Sequence, residues 1–198
     1  MTPKANIVKT EVLSQDHFKL EKITFEYTKK DGSTETQIRE SFDVGNAATV
    51  LLYNKEQRSV ILTKQFRLST FLNKNPTGML IEACAGKLDE QEPATAIKRE
   101  IEEETGYKVT EVKKIFEAYM SPGSLTELVH FYIADYTSEM KETDGGGVEH
   151  EQEEIEVLEM PLSRAFQMIS SGEIRDAKTI MLLQYAALHF KEVKIASV

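Results

Sequence analysis

A chain of 198 residues with 40% hydrophobic and 29% charged residues has the make-up of a globular protein, long enough to bury an ordinary core. Its formal charge of −9 argues against a nucleic-acid partner, which needs a basic surface, but leaves room for a small phosphorylated ligand whose charge a metal ion offsets locally. A single cysteine excludes an intrachain disulfide, no run approaches a membrane span, and the opening MTPKANIVKT lacks the apolar core of a signal peptide, so a cytoplasmic protein without a membrane partner is expected.

Residues 7–14 and 18–27 alternate apolar and polar side chains and are predicted to be strands; Asp31-Gly32 is a hairpin signal, with 34–42 returning as a third strand. From Ala47 the pattern becomes that of a mixed core. Buried strands are predicted over 48–53 and 59–64, around a polar turn, 54–58. Arg67, at the end of the second, could hold a phosphate, although an arginine in such a place is commonly a surface residue. After a loop over 73–78, residues 79–85 read as one strand. Cys84, inside its apolar run MLIEACAG, fits a small core residue better than a nucleophile.

The stretch GKLDEQEPATAIKREIEEETGY, 86–107, carries the densest chemistry. Pro93 suits a first helical position and Gly106 a helix stop. Glu100, Glu103 and Glu104 then share one helical face, beside an apolar stripe of Ala94, Ile97 and Ile101. Like charges at this spacing, near the negative end of the helix dipole, each cost a few tenths of a kcal/mol, about 0.2–0.5 per pair. A solvated acidic face is the plain reading; a hard divalent cation among the acids is the chemical one, and oxygen donors alone suit Mg²⁺ or Mn²⁺.

Further strands are predicted over 109–119, 128–136 and 156–160, with His130 a packed strand residue and Glu127 at a loop-strand junction. Residues 138–154 form a polar acidic segment with three successive glycines, 145–147, which reads either as a floppy loop or as a glycine-hinged lid that carries carboxylates; His150 is an alternative base there. A short amphipathic helix over 162–171 stops at Gly172. Asp176 caps a last helix whose core face is expected to be Ile180, Leu183, Ala187 and Phe190. Lys178 in its first turn is disfavoured by the dipole, which leaves a hand for a phosphate or sugar oxygen and a plain surface lysine equally open.

Gly86, Glu92, Arg99-Glu100-Ile101, Glu103-Glu104 and Gly106-Tyr107 together resemble the Nudix box of hydrolases that cut nucleoside diphosphates linked to another moiety. Six residues separate Glu92 from Arg99 where the usual box has seven, which leaves the role of Glu92 open. The segments GNAATVLLYN, QFRLST, LIEACAGKLD, YMSPGSLTELVHF, GGGVEHE, IEVLEMP and GEIRDAKT extend the resemblance over nearly the whole chain, to the ADP-ribose and nucleotide-sugar branch and most narrowly to its GDP-mannose-cleaving members.

That resemblance implies an α/β fold, the Nudix α/β/α sandwich with a mixed sheet plus an N-terminal antiparallel β-strand subdomain, divided as 1–43 for dimerisation and 44–198 for hydrolysis. It implies Mg²⁺-dependent cleavage, with Mn²⁺ a possible substitute, of a nucleoside diphosphate sugar, GDP-mannose giving GMP and mannose 1-phosphate. By the same likeness Glu100, Glu104, Glu153 and the Ala85 carbonyl would hold metal, and Glu103 would be a further ligand or orienting acid. Arg99 would steady the glutamates and Glu151 would activate water. Substrate would meet Arg67, Ala85, Gly86, Lys87, Glu104, Glu127, Glu153 and Lys178. In a homodimer the partner's N-terminal strands would add His17, Ile38, Arg39 and Glu40 around the nucleotide. Two other readings stand beside it: cleavage of ADP-ribose by the same chemistry, and a Nudix-fold sensor without turnover, which has no need of a complete set of helical acids.

Overall fold

A computed structural model describes residue 2, residues 4–148 and residues 153–190. The chain forms two compact units, Met1–Asn46 with Tyr119–Leu128, and Ala47–Ala118 with Val129–Val198. Among the described residues no helix is long and apolar enough to cross a membrane.

The first unit is an antiparallel meander of β1 (Lys4–Gln15), β2 (Lys19–Thr28) and β3 (Thr34–Asp43). Its predicted hairpin forms because the Asp31 carboxylate accepts from the Ser33 amide at 2.9 Å and hydroxyl at 2.6 Å, while Gly32 takes φ +88°. The β1 register shifts at Val8 and at Leu13, two bulges in one strand. A segment from the middle of the chain completes the unit: the Phe42 amide donates to the Ser124 carbonyl at 2.8 Å, and the Thr126 hydroxyl to Asp43 at 3.1 Å. No described residue of this unit is buried, and Ile7, Val8, Val12 and Leu13 are each about half exposed.

The second unit is built on a sheet of β4 (Ala47–Asn54), β5 (Ser59–Phe66), β6 (Met79–Glu82), β7 (Ala85–Lys87), β8 (Lys113–Tyr119), β9 (Leu128–Asp135) and β10 (Glu156–Pro161). Its main path runs β10-β5-β4-β9-β8, with β4 and β9 parallel. The helices are α1 (Leu68–Leu72), α2 (Pro93–Glu100), α3 (Leu162–Ser171) and α4 (Ala177–His189). Alternate residues of β4 serve opposite faces, which is why nearly all of it is buried. Ala48, Val50 and Leu52 pack with Ile97 and Ile101 of the α2 segment, whereas the Tyr53 ring stacks on Phe190, 4.5 Å away, at the end of α4.

Three elements depart from expectation. The strand predicted over 79–85 breaks in two, because β5 and β4 diverge: β6 follows β5 and β7 follows β4. The backbone freed at the break is satisfied from three sides. Cys84 O accepts from the Val50 amide at 2.9 Å and the Thr49 hydroxyl at 3.1 Å, and the Ala83 amide donates to the Thr179 hydroxyl at 2.7 Å. The strand predicted from 109 begins only at Lys113. The buried face of α4 is Thr179, Leu182, Leu183 and Ala186 rather than the expected set, a rotation of about one residue, or roughly 100°. Leu183 alone is common to both, since the 3.6 period leaves neighbouring stripes alike in this apolar helix.

Candidate active site

Pro93 opens α2 as its first residue, and the Glu92 carbonyl takes the Thr95 and Ala96 amides at 2.9 and 3.0 Å. Ala96, Ile97 and Ile101 are buried, which fixes the rotation of the helix. Over Ile101–Thr105 the helix widens to a π turn, and the buried Thr105 hydroxyl bonds back to the Ile101 carbonyl at 2.5 Å. The wider turn carries Glu104 inward: it is 2% exposed, while Glu103 stays half-buried. Gly106 then stops the helix at φ +76°.

The three successive glycines are not a free hinge. The Gly146 amide donates to the Glu104 carbonyl at 2.9 Å and the Gly147 amide to the Glu103 carbonyl at 3.1 Å, so the loop satisfies carbonyls that the helix end leaves open. Glu142 and Thr143 amides bond the Gly106 carbonyl at 2.8 and 3.2 Å, and the Ile155 amide returns to Gly146 O at 3.1 Å. The segment 142–147 is therefore docked on the acid-bearing helix. A cleft of about 410 Å³ between them is lined by Arg99, Glu102, Glu103, Thr143, Gly145 and Gly147.

Arg99 gathers the helical acids. Its Nη2 donates to Glu100 and its Nη1 to Glu103, both at 2.8 Å, and the two carboxylates hold its guanidinium charged against the cost of burial. Glu104 is in a different position. Burial pushes its pKa up to about 8; the Cys84 thiol pulls it down, the charges of Glu100 and Glu153 push it further up, and Arg67 opposes them. Its Oε2 has no hydrogen-bond partner among the described residues. Cys84 is fully buried, as a core residue should be, and burial together with Glu104 keeps its thiol protonated.

A second cluster lies at the end of β6. Glu82 is buried and receives Arg67 Nε at 2.6 Å, with Lys178 Nζ 3.5 Å from its other oxygen. Lys178 also donates to Asp176 at 2.6 Å, and Asp176 caps α4 through the Thr179 amide at 2.8 Å. Arg67 and Lys178, tied together by resemblance alone, are thus brought into one cluster, and the charge of Glu104 reaches Arg67. The sequence reading missed Glu82. Its signal was a lone charge in the apolar run MLIEACAG, since an unpaired glutamate is almost never buried.

The other candidates fall as follows. Ala85, Gly86 and Lys87 are the whole of β7, paired with Thr49, Ala48 and Ala47. Glu153 is half-buried, and its Oε2 accepts from the Val148 amide at 3.4 Å. Glu151 and the alternative base His150 lie outside the described residues. His130 is packed on β9, its Nδ1 3.3 Å from Glu117, with burial lowering its pKa. In the first unit His17 is exposed, its ring 4.4 Å from that of Phe18. Ile38, Arg39 and Glu40 are exposed on β3, where Arg39 donates to the Ile38 carbonyl and to Gln37. Glu127 is half-buried on the segment pinned to the end of β3.

Among the described residues no three His, Cys, Asp or Glu side chains converge closely enough to form a metal centre by themselves. The chemistry nevertheless fits a hard cation: Glu104 is a buried carboxylate with an unpartnered oxygen, repelled by Glu100 and Glu153, and carboxylates offer the oxygen donors such an ion takes.

Comparison with known proteins identifies the family to which the chain is related. The profile described as "GDP-mannose pyrophosphatase NudK N-terminal domain" matches residues 4–42, and that of the NUDIX domain matches 44–183. The chain is 52% identical over 185 residues to a GDP-mannose pyrophosphatase of Shigella flexneri serotype 5b (strain 8401), covering 93% of this chain and 96% of that one. It is 51% identical, with the same coverage, to the GDP-mannose pyrophosphatase of Escherichia coli (strain K12). A crystal structure of an ADP compounds hydrolase shares the fold, with a TM-score of 0.72 at 15% identity over 96% of this chain and 97% of that chain. The chain belongs to the Nudix family, in the group that the GDP-mannose pyrophosphatases form.

Proposed function

We propose that the protein hydrolyses the pyrophosphate bond of a nucleoside diphosphate sugar, GDP-mannose foremost, to give GMP and mannose 1-phosphate, with Mg²⁺ as the ion. The observation that carries this reading is the buried Glu104 carboxylate, unpartnered at Oε2 and flanked by Glu100 and Glu153, with Arg67 close enough to counter its charge. The named activity of the similar enzymes supports the choice of substrate.

Glu100, Glu104, Glu153 and the Ala85 carbonyl would hold the ion, which when bound neutralises diphosphate oxygens and offsets the crowding of the acids. Arg99 orients Glu100 and Glu103 by its two hydrogen bonds, as outer groups do for metal ligands. Arg67 and Lys178 receive phosphate oxygens. Gly86 leaves space for the Glu100 carboxylate, since a Cβ there would overlap it. The role of Glu151, accepting the proton of the attacking water, belongs to this proposal as the family resemblance implies.

Assembly as a homodimer is part of the same reading. A three-stranded sheet without a single buried described residue, and with Ile7, Val8, Val12 and Leu13 about half exposed, lacks the apolar burial that independent stability needs.

Incubation with GDP-mannose, ADP-ribose or ATP, in Mg²⁺ and again in chelator, tests the proposal by product identity. GMP and mannose 1-phosphate in Mg²⁺ alone are expected. Preferred release of AMP from ADP-ribose, or recovery of every ligand unchanged, would overturn it.

A further inference from the structure

Two cations meet at Glu82 from unrelated elements. Arg67 follows β5, where its amide donates to the Gly78 carbonyl at 2.8 Å and its own carbonyl accepts from the Thr70 amide at 3.0 Å and hydroxyl at 2.9 Å. Lys178 stands in the first turn of α4, behind its cap Asp176. The Glu82 side chain, 4% exposed, lies between them, with Oε2 2.6 Å from Arg67 Nε and Oε1 3.5 Å from Lys178 Nζ.

Stability alone does not favour this cluster. Arg67 and Lys178 repel one another, and a lysine at a helix start opposes the dipole. Burying a carboxylate carries a desolvation cost comparable with what its ion pairs return, and an apolar replacement of the whole set is often neutral or better. What Glu82 supplies is orientation. It grips Arg67 by the Nε edge, and Nη1 and Nη2 have no hydrogen-bond partner among the described residues, on a side chain that is 40% exposed. Lys178 gives one hydrogen bond, to Asp176, and has further donors available. Two partly open cations are thus held side by side from below by one acid that solvent does not reach.

We propose that Glu82 is a positioning residue that holds Arg67 and Lys178 as a single anion-receiving pair for the oxygens of the diphosphate. This rests on the reading that the site takes a nucleoside diphosphate sugar. An arginine and a lysine differ in what they offer: the planar guanidinium can take two oxygens in its plane, whereas the ammonium acts as a compact point charge. Neither geometry is reproducible if the two side chains wander independently, and ordering them in advance lowers the cost of binding.

Steady-state kinetics on GDP-mannose in a double-mutant cycle test the proposal. Glu82→Gln keeps the shape of the side chain and removes its charge; KM is expected to rise about tenfold or more, with a smaller fall in kcat. In a background of Arg67→Ala with Lys178→Ala, the same substitution should change KM by less than about twofold, because nothing is left to position. An equal factor in both backgrounds would mean that Glu82 acts on the fold alone and would overturn the proposal, as would an unchanged KM in the otherwise intact protein. Should Glu82→Gln not fold, Glu82→Asp, which keeps the charge but shortens the reach, takes its place in the cycle. A parent protein inert toward GDP-mannose would count against the substrate reading instead; the cycle is then read on binding of inorganic pyrophosphate by calorimetry, with the same loss expected in one background and not in the other.

Discussion

The carboxylate of Glu100 occupies the space that a side chain on Gly86 would fill, so that a Cβ built on the glycine overlaps its carboxyl carbon. The two residues come from different elements, β7 and the end of α2, and the absence of one side chain defines where the other can lie. Gly86→Ala should therefore fold, because the obstructing atoms are the far end of a flexible side chain, while turnover falls by about 10²-fold or more through misplacement of the acid. A thermal melt within a few degrees of the parent's together with near-normal turnover would contradict this account.

The contact between Gly145 and the helix end makes the opposite prediction. A Cβ on Gly145 would stand 2.5 Å from the Glu104 carbonyl oxygen and 2.5 Å from Thr105 C, both backbone, and the residue has φ +67°. Neither can give way. Gly145→Ala is expected to destabilise the fold by about 3 kcal/mol or more in denaturant titration, whereas Gly123→Ala, with nothing within 4 Å, should stay within about 0.5 kcal/mol.

Glu104 predicts how the metal-free protein responds to pH. Its folded pKa is raised to about 8 from 4.5, chiefly by burial, so between those values the folded chain keeps a proton that the unfolded chain has released. Stability from this group is fully present below about 4.5 and declines as pH rises through about 8, by at most about 1.4 kcal/mol for each pH unit in that window. Urea unfolding in chelator should show this decline in the parent and much less of it in Glu104→Gln. Parallel pH profiles for the two would refute the assignment.

Asp176 serves α4 in two ways that substitution can separate. Asp176→Ala removes the acceptor for the Thr179 amide and hydroxyl and should cost about 1–2 kcal/mol for the cap alone. Asp176→Asn retains an acceptor oxygen for Thr179 but removes the charge beside Lys178, so most of the cap's stability should remain while the pKa of Lys178 falls. Equal losses in the two variants, measured by thermal unfolding, would show that charge rather than capping dominates there.

The box was legible because its instructions are local. Pro93 opens a helix by its fixed φ, Gly106 closes one by its left-handed φ, and the acids lie between them, although the shared α-helical face expected of them gives way to a π turn that buries Glu104. The meander was legible for the same reason, from alternation and an Asp-Gly turn. The central glycines were legible as punctuation but not in function. Chain chemistry shows that such residues can bend; only the packed molecule shows their amides meeting the carbonyls of Glu103 and Glu104.

What the sequence by itself determined is the family, the helix and its carboxylates, since these rest on neighbours along the chain. The tertiary structure alone decided that 79–87 breaks into β6 and β7, that Glu104 turns inward on a π turn, and that Glu82 stands between Arg67 and Lys178. The reason is one of range. A break is stable only if distant donors such as Thr49 and Thr179 engage its freed backbone, and a buried acid only if cations arrive from elsewhere in the chain, conditions that no local pattern encodes.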